Sequence, residues 1–326
     1  VPTPFKEENG NPKAPDLSYV EAATRALTPF LREGNLVILE STSPVGTTEF
    51  IERIVVEMRP ELNGKVYAAH CPERVLPGHI LRELVDNDRI IGGTTKAAIA
   101  KARNLYKTFC NGAILLTDSK TAELSKLVEN SFRDVNIAFA NELSMICDKL
   151  DINVWELIKM ANRHPRVNIL TPGAGVGGHC IAVDPWFIVH SAPEQAKLIR
   201  TAREVNDFKP QWVLQKVLST VANHALHKPS IACFGLAFKP DIDDLRESPA
   251  LHIVNDLAAA YQGKIYAVEP NVEKTNKLAS NVELVSVEQG LKADIIVILV
   301  NHKGFGDLDF SKHSLINVVG PLRSAH

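Results

Sequence analysis

The chain has 326 residues, 45% of them hydrophobic and 23% charged, with a net charge of −2. That is enough chain for two or three cores of ordinary soluble composition, and the balanced charge gives no footprint for nucleic acid or an acidic membrane surface. No apolar run approaches the ~20 residues that cross a bilayer.

The first residues, Val1 to Lys6, lack the basic and apolar regions of a signal peptide. Cys71, Cys110, Cys147, Cys180 and Cys233 are scattered, with no Cys-x-x-Cys pair. That pattern implies neither a disulfide framework nor a metal site, and it suits a reducing cytoplasm.

Short β-rich runs alternate with helical periodicity early in the chain. Leu36 to Leu39 reads as a strand entering the polar turn Glu40-Ser41-Thr42-Ser43-Pro44-Val45-Gly46, and Val66 to Ala69 as a strand reaching Cys71-Pro72-Glu73. Strands also fit Arg89 to Gly92 and Ala113 to Leu116, and helices fit 18–32, 47–58 and 95–109. The alternation predicts βαβ units in a parallel sheet. Ligands of such sheets sit beyond the carboxyl ends of the strands, where Thr42 and Glu73 fall.

Residues 119–226 read as mostly helical. Asp118-Ser119 can cap a helix to about Leu150, with Leu127, Phe132, Val135, Phe139 and Leu143 on its apolar side. Lys126, Asn130 and Arg133 stand at i, i+4 and i+7, on one face. This is a solvated polar face unless the mid-helix asparagine, a mediocre helix former, serves a purpose.

The stretch Pro172 to Trp186 breaks the helices. Gly173, Gly175, Gly177 and Gly178 would let the backbone approach a ligand. Cys180 follows them, and Asp184 comes four residues later, as nucleophile and base would. A tight turn into a buried, inert cysteine fits the same residues. After Pro193, apolar residues from Leu198 to Val221 predict a second long helix that Pro210 must kink or interrupt. Its stripe suits either a dimer interface or a buried inter-domain helix.

From Ser230 the α/β pattern resumes. A strand fits Ile231 to Leu236, a helix 249–260, and further strands Lys264 to Val268, Asp294 to Val300 and Leu315 to Val319. Glu269 closes one strand. Lys239 and Arg246 flank a strand-to-helix turn, where phosphate meets a helix N-terminus. A phosphate role is the favoured reading, with simple local ion pairs to the acidic segment between them, Asp241-Ile242-Asp243-Asp244, as the alternative.

Taken in order, the Glu40–Gly46 turn, Cys71-Pro72-Glu73-Arg74, Lys126 with Asn130, the Cys180 loop and Phe238-Lys239 with Arg246-Glu247-Ser248-Pro249 resemble the UDP-glucose/GDP-mannose 6-dehydrogenase family. Asn162 to Ile169 and Val176 to Trp186 are most similar to members acting on UDP-N-acetyl-D-mannosamine, which supply its uronate for bacterial surface polysaccharides. The resemblance implies an α/β fold of two Rossmann-like parallel-sheet domains joined by a central helical dimerisation domain. Its divisions would be 1–118 for the NAD-binding domain, 119–226 for the helical centre and 227–326 for the UDP-sugar domain.

The family's reaction is oxidation of a sugar C6 alcohol to a carboxylate with two NAD⁺. By resemblance Cys180 forms a thiohemiacetal and then a thioester. Lys126 and Asn130 stabilise the oxyanion, Asp184 positions or activates water, and Glu73 assists hydrolysis. Arg74, Val75, Arg133 and His164 fall to the UDP-sugar, as do Arg166, Gly177, Phe238 and Lys239. Thr42 and Arg246 fall to NAD. Arg166 would reach a neighbouring subunit's site, making a homodimer functional.

The sequence departs from the family in three respects. The family's opening strand and G-x-G-x-x-G turn are not found, since the one glycine before Gly34 is Gly10. The expectation is therefore a curtailed NAD domain with poor or no NAD binding, and the alternative to a dehydrogenase is a non-catalytic remnant that dimerises and binds UDP-sugar through Lys126, Arg166 and Lys239. UDP-glucose relatives often carry an acidic residue where Pro77 stands and a lysine where Val183 stands, which argues against that substrate. The stretch Val318 to Arg323 does not show the family's usual Asp-x-x-Gly, which leaves open whether Arg323 replaces the family's last substrate arginine.

Overall fold

The computed structural model describes residues 1–6, 14–75, 80–178 and 180–324. Gly10, Pro77 and His179 lie outside the described residues. The chain divides into two compact units, Val1–Phe132 with Val183–Ile199, and Arg133–Ala182 with Arg200–His326.

The first unit opens with α1 (Ser18–Leu27), β1 (Leu36–Leu39) and α2 (Thr47–Met58). It continues through β2 (Tyr67–His70), α3 (Ile80–Asp86), β3 (Arg89–Gly93), α4 (Lys96–Tyr106) and β4 (Ile114–Asp118). The strands form one sheet in the order β1-β2-β3-β4. Pairs β1–β2 and β3–β4 are parallel, as the βαβ pattern predicts, but β2 and β3 run antiparallel through Ala69↔Gly93 and His70↔Gly92. An apolar run identifies a strand and says nothing of its direction, so this reversal was invisible in the pattern. Gly92 is required where it stands: a Cβ there would lie 2.3 Å from the Asp118 carbonyl oxygen and 2.6 Å from Ala122 Cβ. Ala69, Cys71, Ile91, Ala102 and Tyr106 form a core beneath the sheet.

The long helix α5 (Ser119–Lys149) is capped as its sequence suggests, with Asp118 Oδ1 accepting from the Thr121 N–H at 2.9 Å. Leu127 is buried, but Phe132 and Phe139 are 69% and 54% exposed, so the apolar side expected of this helix is only partly interior. Beyond it come α6 (Val154–Ala161), α7 (Asp184–Ser191) and α8 (Lys197–Ala222). The helix α8 runs through Pro210 rather than breaking there. Lys209 and Val213 on either side are buried, so packing offsets the ~3 kcal/mol that an interior proline costs.

The second unit is organised on β5 (Ile231–Phe234), α9 (Pro249–Ala260), β6 (Ile265–Val268), β7 (Val282–Leu284), α10 (Val287–Gly290), β8 (Ile295–Ile298) and β9 (Ser314–Asn317). These strands form a parallel sheet in the order β7-β6-β5-β8-β9, with β5 central. Every residue of β5, β6 and β8 is buried, which is why they read as unbroken apolar runs. The strand order reverses between β5 and β8, the point at which doubly wound sheets take ligands. Short β7, α3 and α10 carried too little apolar pattern to be foreseen.

Candidate active site

Lys126, Asn130 and Asp184 come together in the first unit. Asn130 on α5 is 6% exposed and Asp184, the first residue of α7, is 3% exposed. Asn130 Nδ2 donates to Asp184 Oδ2 at 2.5 Å. Burial pushes the Asp184 carboxyl up to about 6, against the opposing pull of that hydrogen bond and of the Lys126 charge. A carboxyl poised there exchanges a proton readily near neutral pH. The mid-helix asparagine is thus spent on a buried acid and not on solvent.

Glu73 and Arg74 follow β2. The Glu73 carboxylate turns back on its own loop, accepting from the N–H groups of Arg74 at 2.7 Å and Val75 at 3.0 Å. The Arg74 guanidinium pairs with Glu129 on α5 at 2.7 Å. Reading the sequence missed Glu129, because a carboxylate on a helix surface carries no signal of its partner.

The turn after β1 tests the fit of a dinucleotide. Gly46, with φ of 94°, precedes α2, and its N–H and that of Thr48 point to the carboxylate of Glu123 on α5, at 2.6 and 2.7 Å. The Thr48 hydroxyl donates to the same carboxylate at 2.6 Å. The donors at this helix N-terminus are therefore already met by an internal anion and do not form a phosphate cradle. Thr42 is partly exposed beside them, and the Ser43 hydroxyl is buried without a hydrogen-bond partner. Two hydroxyls, one of them orphaned, fit the sugar part of a dinucleotide.

In the second unit, three of the four glycines of the Cys180 loop are explained by protein packing. A Cβ on Gly177 would lie 2.3 Å from the Glu247 carbonyl oxygen and 2.6 Å from Pro249 Cδ. Gly175 is similarly wedged against Pro210 and Pro249, and Gly178, with φ of 83°, lies against the Phe238 ring. Only Gly173 among the four faces open space. These contacts correct the idea that all four glycines admit a ligand. They hold the loop against the residues between β5 and α9. Cys180 itself is exposed, so the alternative of a buried, inert cysteine does not hold.

A cavity of about 330 Å³ opens at the switch point of the second sheet. Its walls come from the glycine loop (Gly173, Gly175), the segment after β5 (Phe238), the segment after β8 (Asn301) and Arg323. Arg323 also pairs with Asp241 at 2.9 Å. Lys239 next to Phe238 is exposed. Arg246 is held by Asp244 at 2.7 Å, so the local ion pair foreseen for the acidic segment forms. Glu269, at the end of β6, is buried, and its Oε2 accepts from the N–H groups of Leu236 at 2.7 Å and Ala237 at 3.0 Å. Burial acts to raise its pKa, but His302 and these N–H groups prevail and hold it below the usual carboxylate range. Arg133, His164 and Arg166 are exposed, and His164 Nδ1 accepts from the Arg166 N–H at 3.3 Å.

A doubly wound sheet with a cavity at its switch point, and an acid tuned toward neutrality in the other unit, define a nucleotide-binding α/β enzyme. Comparison with known proteins makes the class specific: the chain belongs to the UDP-glucose/GDP-mannose dehydrogenase family. The family's NAD binding domain matches residues 1–110, its central domain 120–208 and its UDP binding domain 232–318. The match over 1–110 gives no support to the expectation of a curtailed NAD domain. The NDP-N-acetyl-D-galactosaminuronic acid dehydrogenase of Ralstonia nicotianae is 57% identical over 95% of this chain and 74% of its own length. The UDP-N-acetyl-D-mannosamine dehydrogenase of Campylobacter jejuni is 56% identical over 96% of this chain and 78% of its own. A solved UDP-D-ManNAc dehydrogenase from Pyrococcus horikoshii superposes with a TM-score of 0.84 at 38% identity, covering 99% of this chain and 79% of that one. Among the described residues no helix is long and apolar enough to cross a membrane.

Proposed function

We propose that this chain oxidises the C6 alcohol of UDP-N-acetyl-D-mannosamine to the carboxylate, in the cytoplasm, for bacterial surface polysaccharide synthesis. The observation that carries the chemistry is the buried Asn130–Asp184 pair under the influence of Lys126. The substrate rests on relatives such as that of Campylobacter jejuni. One alcohol, two NAD⁺ and one water give one carboxylate, two NADH and three protons. NAD⁺, when bound, accepts the hydride in each of the two oxidations.

The chain's own residues do the rest. Cys180 adds its thiolate to the C6 aldehyde, giving a thiohemiacetal, and loss of hydride leaves a thioester. Thiolate serves because it is both a strong nucleophile and a good leaving group. The Lys126 ammonium stabilises the oxyanion in each addition. Asn130 has a second amide N–H beyond the one given to Asp184, and directs it to the same oxygen. Asp184, ionised above about 6, takes a proton from the water that cleaves the thioester. Glu73 assists that hydrolysis.

The uridine diphosphate occupies the cavity at the switch point, against Phe238, with Lys239 and Arg323 as its cations. Arg74, Val75, Arg133, His164 and Arg166 complete the substrate contacts, Gly177 adding only backbone because its Cα side is packed against Glu247 and Pro249, and Thr42 with Ser43 and Arg246 hold NAD. A second copy covers the exposed apolar residues of α5, Leu124, Val128, Phe132, Phe139 and Ile146, to make a homodimer. The divisions 1–118, 119–226 and 227–326 then serve NAD, dimerisation and UDP-sugar.

The near-equal identity to the Ralstonia relative favours one second reading, the dehydrogenase of another N-acetylated UDP-hexosamine. Comparing kcat/KM for the mannosamine and galactosamine nucleotides decides the matter. A clear preference for the galactosamine nucleotide overturns the first reading.

A further inference from the structure

The second unit holds another cavity, of about 420 Å³, that none of the residues assigned to the reaction lines. Its walls are the end of α5, the turn into α6, the middle of α8 and the end of β9. Lys209 forms part of the wall and is 1% exposed. Its ammonium donates to Ser144 Oγ at 2.6 Å and lies 3.9 Å from the centre of the Trp212 ring. Both partners are neutral. Among the described residues no carboxylate is ion-paired with Lys209, and Asp148, the acid of the neighbouring turn, is paired with Lys216. Ser144 spends its own proton on the Asn141 carbonyl.

Such a lysine is a buried charge with no counterion. Burial, reinforced by Lys216 and resisted by Asp148, pushes it down to about 7. The N-terminus of α6 also lies in the wall through Asn153, Val154 and Trp155, but Asn153 Oδ1 already accepts from the N–H groups of Trp155 at 3.0 Å and Glu156 at 3.2 Å, so the attraction for an anion comes from Lys209. The carboxylates of Asp148 and Asp151 are in the same wall and oppose a multiply charged ligand. Trp155 and Trp212 add aromatic surface to the wall, with the Lys209 and Lys216 ammoniums over the Trp212 ring and Gly320 packed against the Trp155 ring.

We propose that this cavity binds a small aromatic monocarboxylate, with its carboxylate on Lys209 Nζ and its ring against the tryptophans. Binding restores full charge to Lys209, so the complex takes up a proton above about pH 7 and weakens as the pH rises further.

Calorimetric titration of the whole chain with naphthoate tests this, with neutral naphthamide as the comparison. The expected result is saturable binding of naphthoate that is roughly tenfold or more weaker at about pH 8.5 than at about pH 6. Naphthamide and the Lys209→Met variant should each lose roughly tenfold or more. Proton uptake, read from titrations of the unaltered protein in two buffers of different ionisation heat, gives an answer even if the variant fails to fold. Absence of saturable naphthoate binding, equal binding of the amide, no proton uptake, or unchanged binding by a folded Lys209→Met variant would each overturn the proposal.

Discussion

Asn130 and Asp184 lie 54 positions apart in the chain and share a hydrogen bond of 2.5 Å in which the amide donates and the carboxylate accepts. The bond stabilises the charged form of an acid that burial would otherwise keep protonated. It therefore sets the pH at which that acid becomes a base.

Activity should rise as the pH passes about 6, where Asp184 ionises. In Asn130→Ala the stabilising donor is gone, so the rising limb should move to higher pH. A pH profile of kcat checks it, and a limb that stays in place would show that Asp184 is not the group being titrated.

Lys126→Met should move the same limb in the same direction, because the lysine charge also favours ionised Asp184. It should in addition lower kcat by roughly 10²–10³ at every pH, the usual loss when an oxyanion partner is removed. A shifted limb with an unchanged plateau would confine Lys126 to tuning Asp184.

The Gly177→Ala variant tests whether that glycine answers to packing. Its Cβ would meet backbone at Glu247 and ring at Pro249, both within 2.6 Å. Overpacking of this kind costs about 1–3 kcal/mol, and a fall in thermal midpoint of roughly 5 °C should follow. An unchanged midpoint would mean that the loop yields freely.

Much of the fold was legible in the sequence, for physical reasons that also mark where legibility stops. The helix at 249–260 reads correctly because Pro249 starts it and Ser248 caps it, its Oγ accepting from the Leu251 N–H at 3.3 Å. The buried strands β5, β6 and β8 read correctly because both of their faces are covered. The antiparallel pairing of β3, the unbroken passage of α8 through Pro210 and the wedged glycines depend on what lies opposite in space. The polar face of α5 predicts Lys126 and Asn130 as neighbours, but nothing in it marks Glu123 and Glu129 on the same helix. Each takes its meaning from a partner more than forty positions away.

Glu123 supplies a further prediction. In Glu123→Ala the N–H groups of Gly46 and Thr48 lose their acceptor, at a cost of about 2–3 kcal/mol in denaturant unfolding. Burial outweighs those donors and raises the folded carboxyl above its usual 4.5, so folding binds a proton near that range. The unaltered protein should then lose stability relative to Glu123→Gln as the pH rises through it. A difference that stays flat with pH would show that the carboxyl ionises in the fold as it does in water.

Cys180 as the nucleophile of a nucleotide-sugar dehydrogenase is the central assignment of the proposed function. The direct measurement is NADH formation from UDP-N-acetyl-D-mannosamine and NAD⁺, by the unaltered chain and by Cys180→Ala side by side. Two NADH per sugar are expected from the first and no uronate from the second. Uronate produced by Cys180→Ala at an undiminished rate would contradict that assignment.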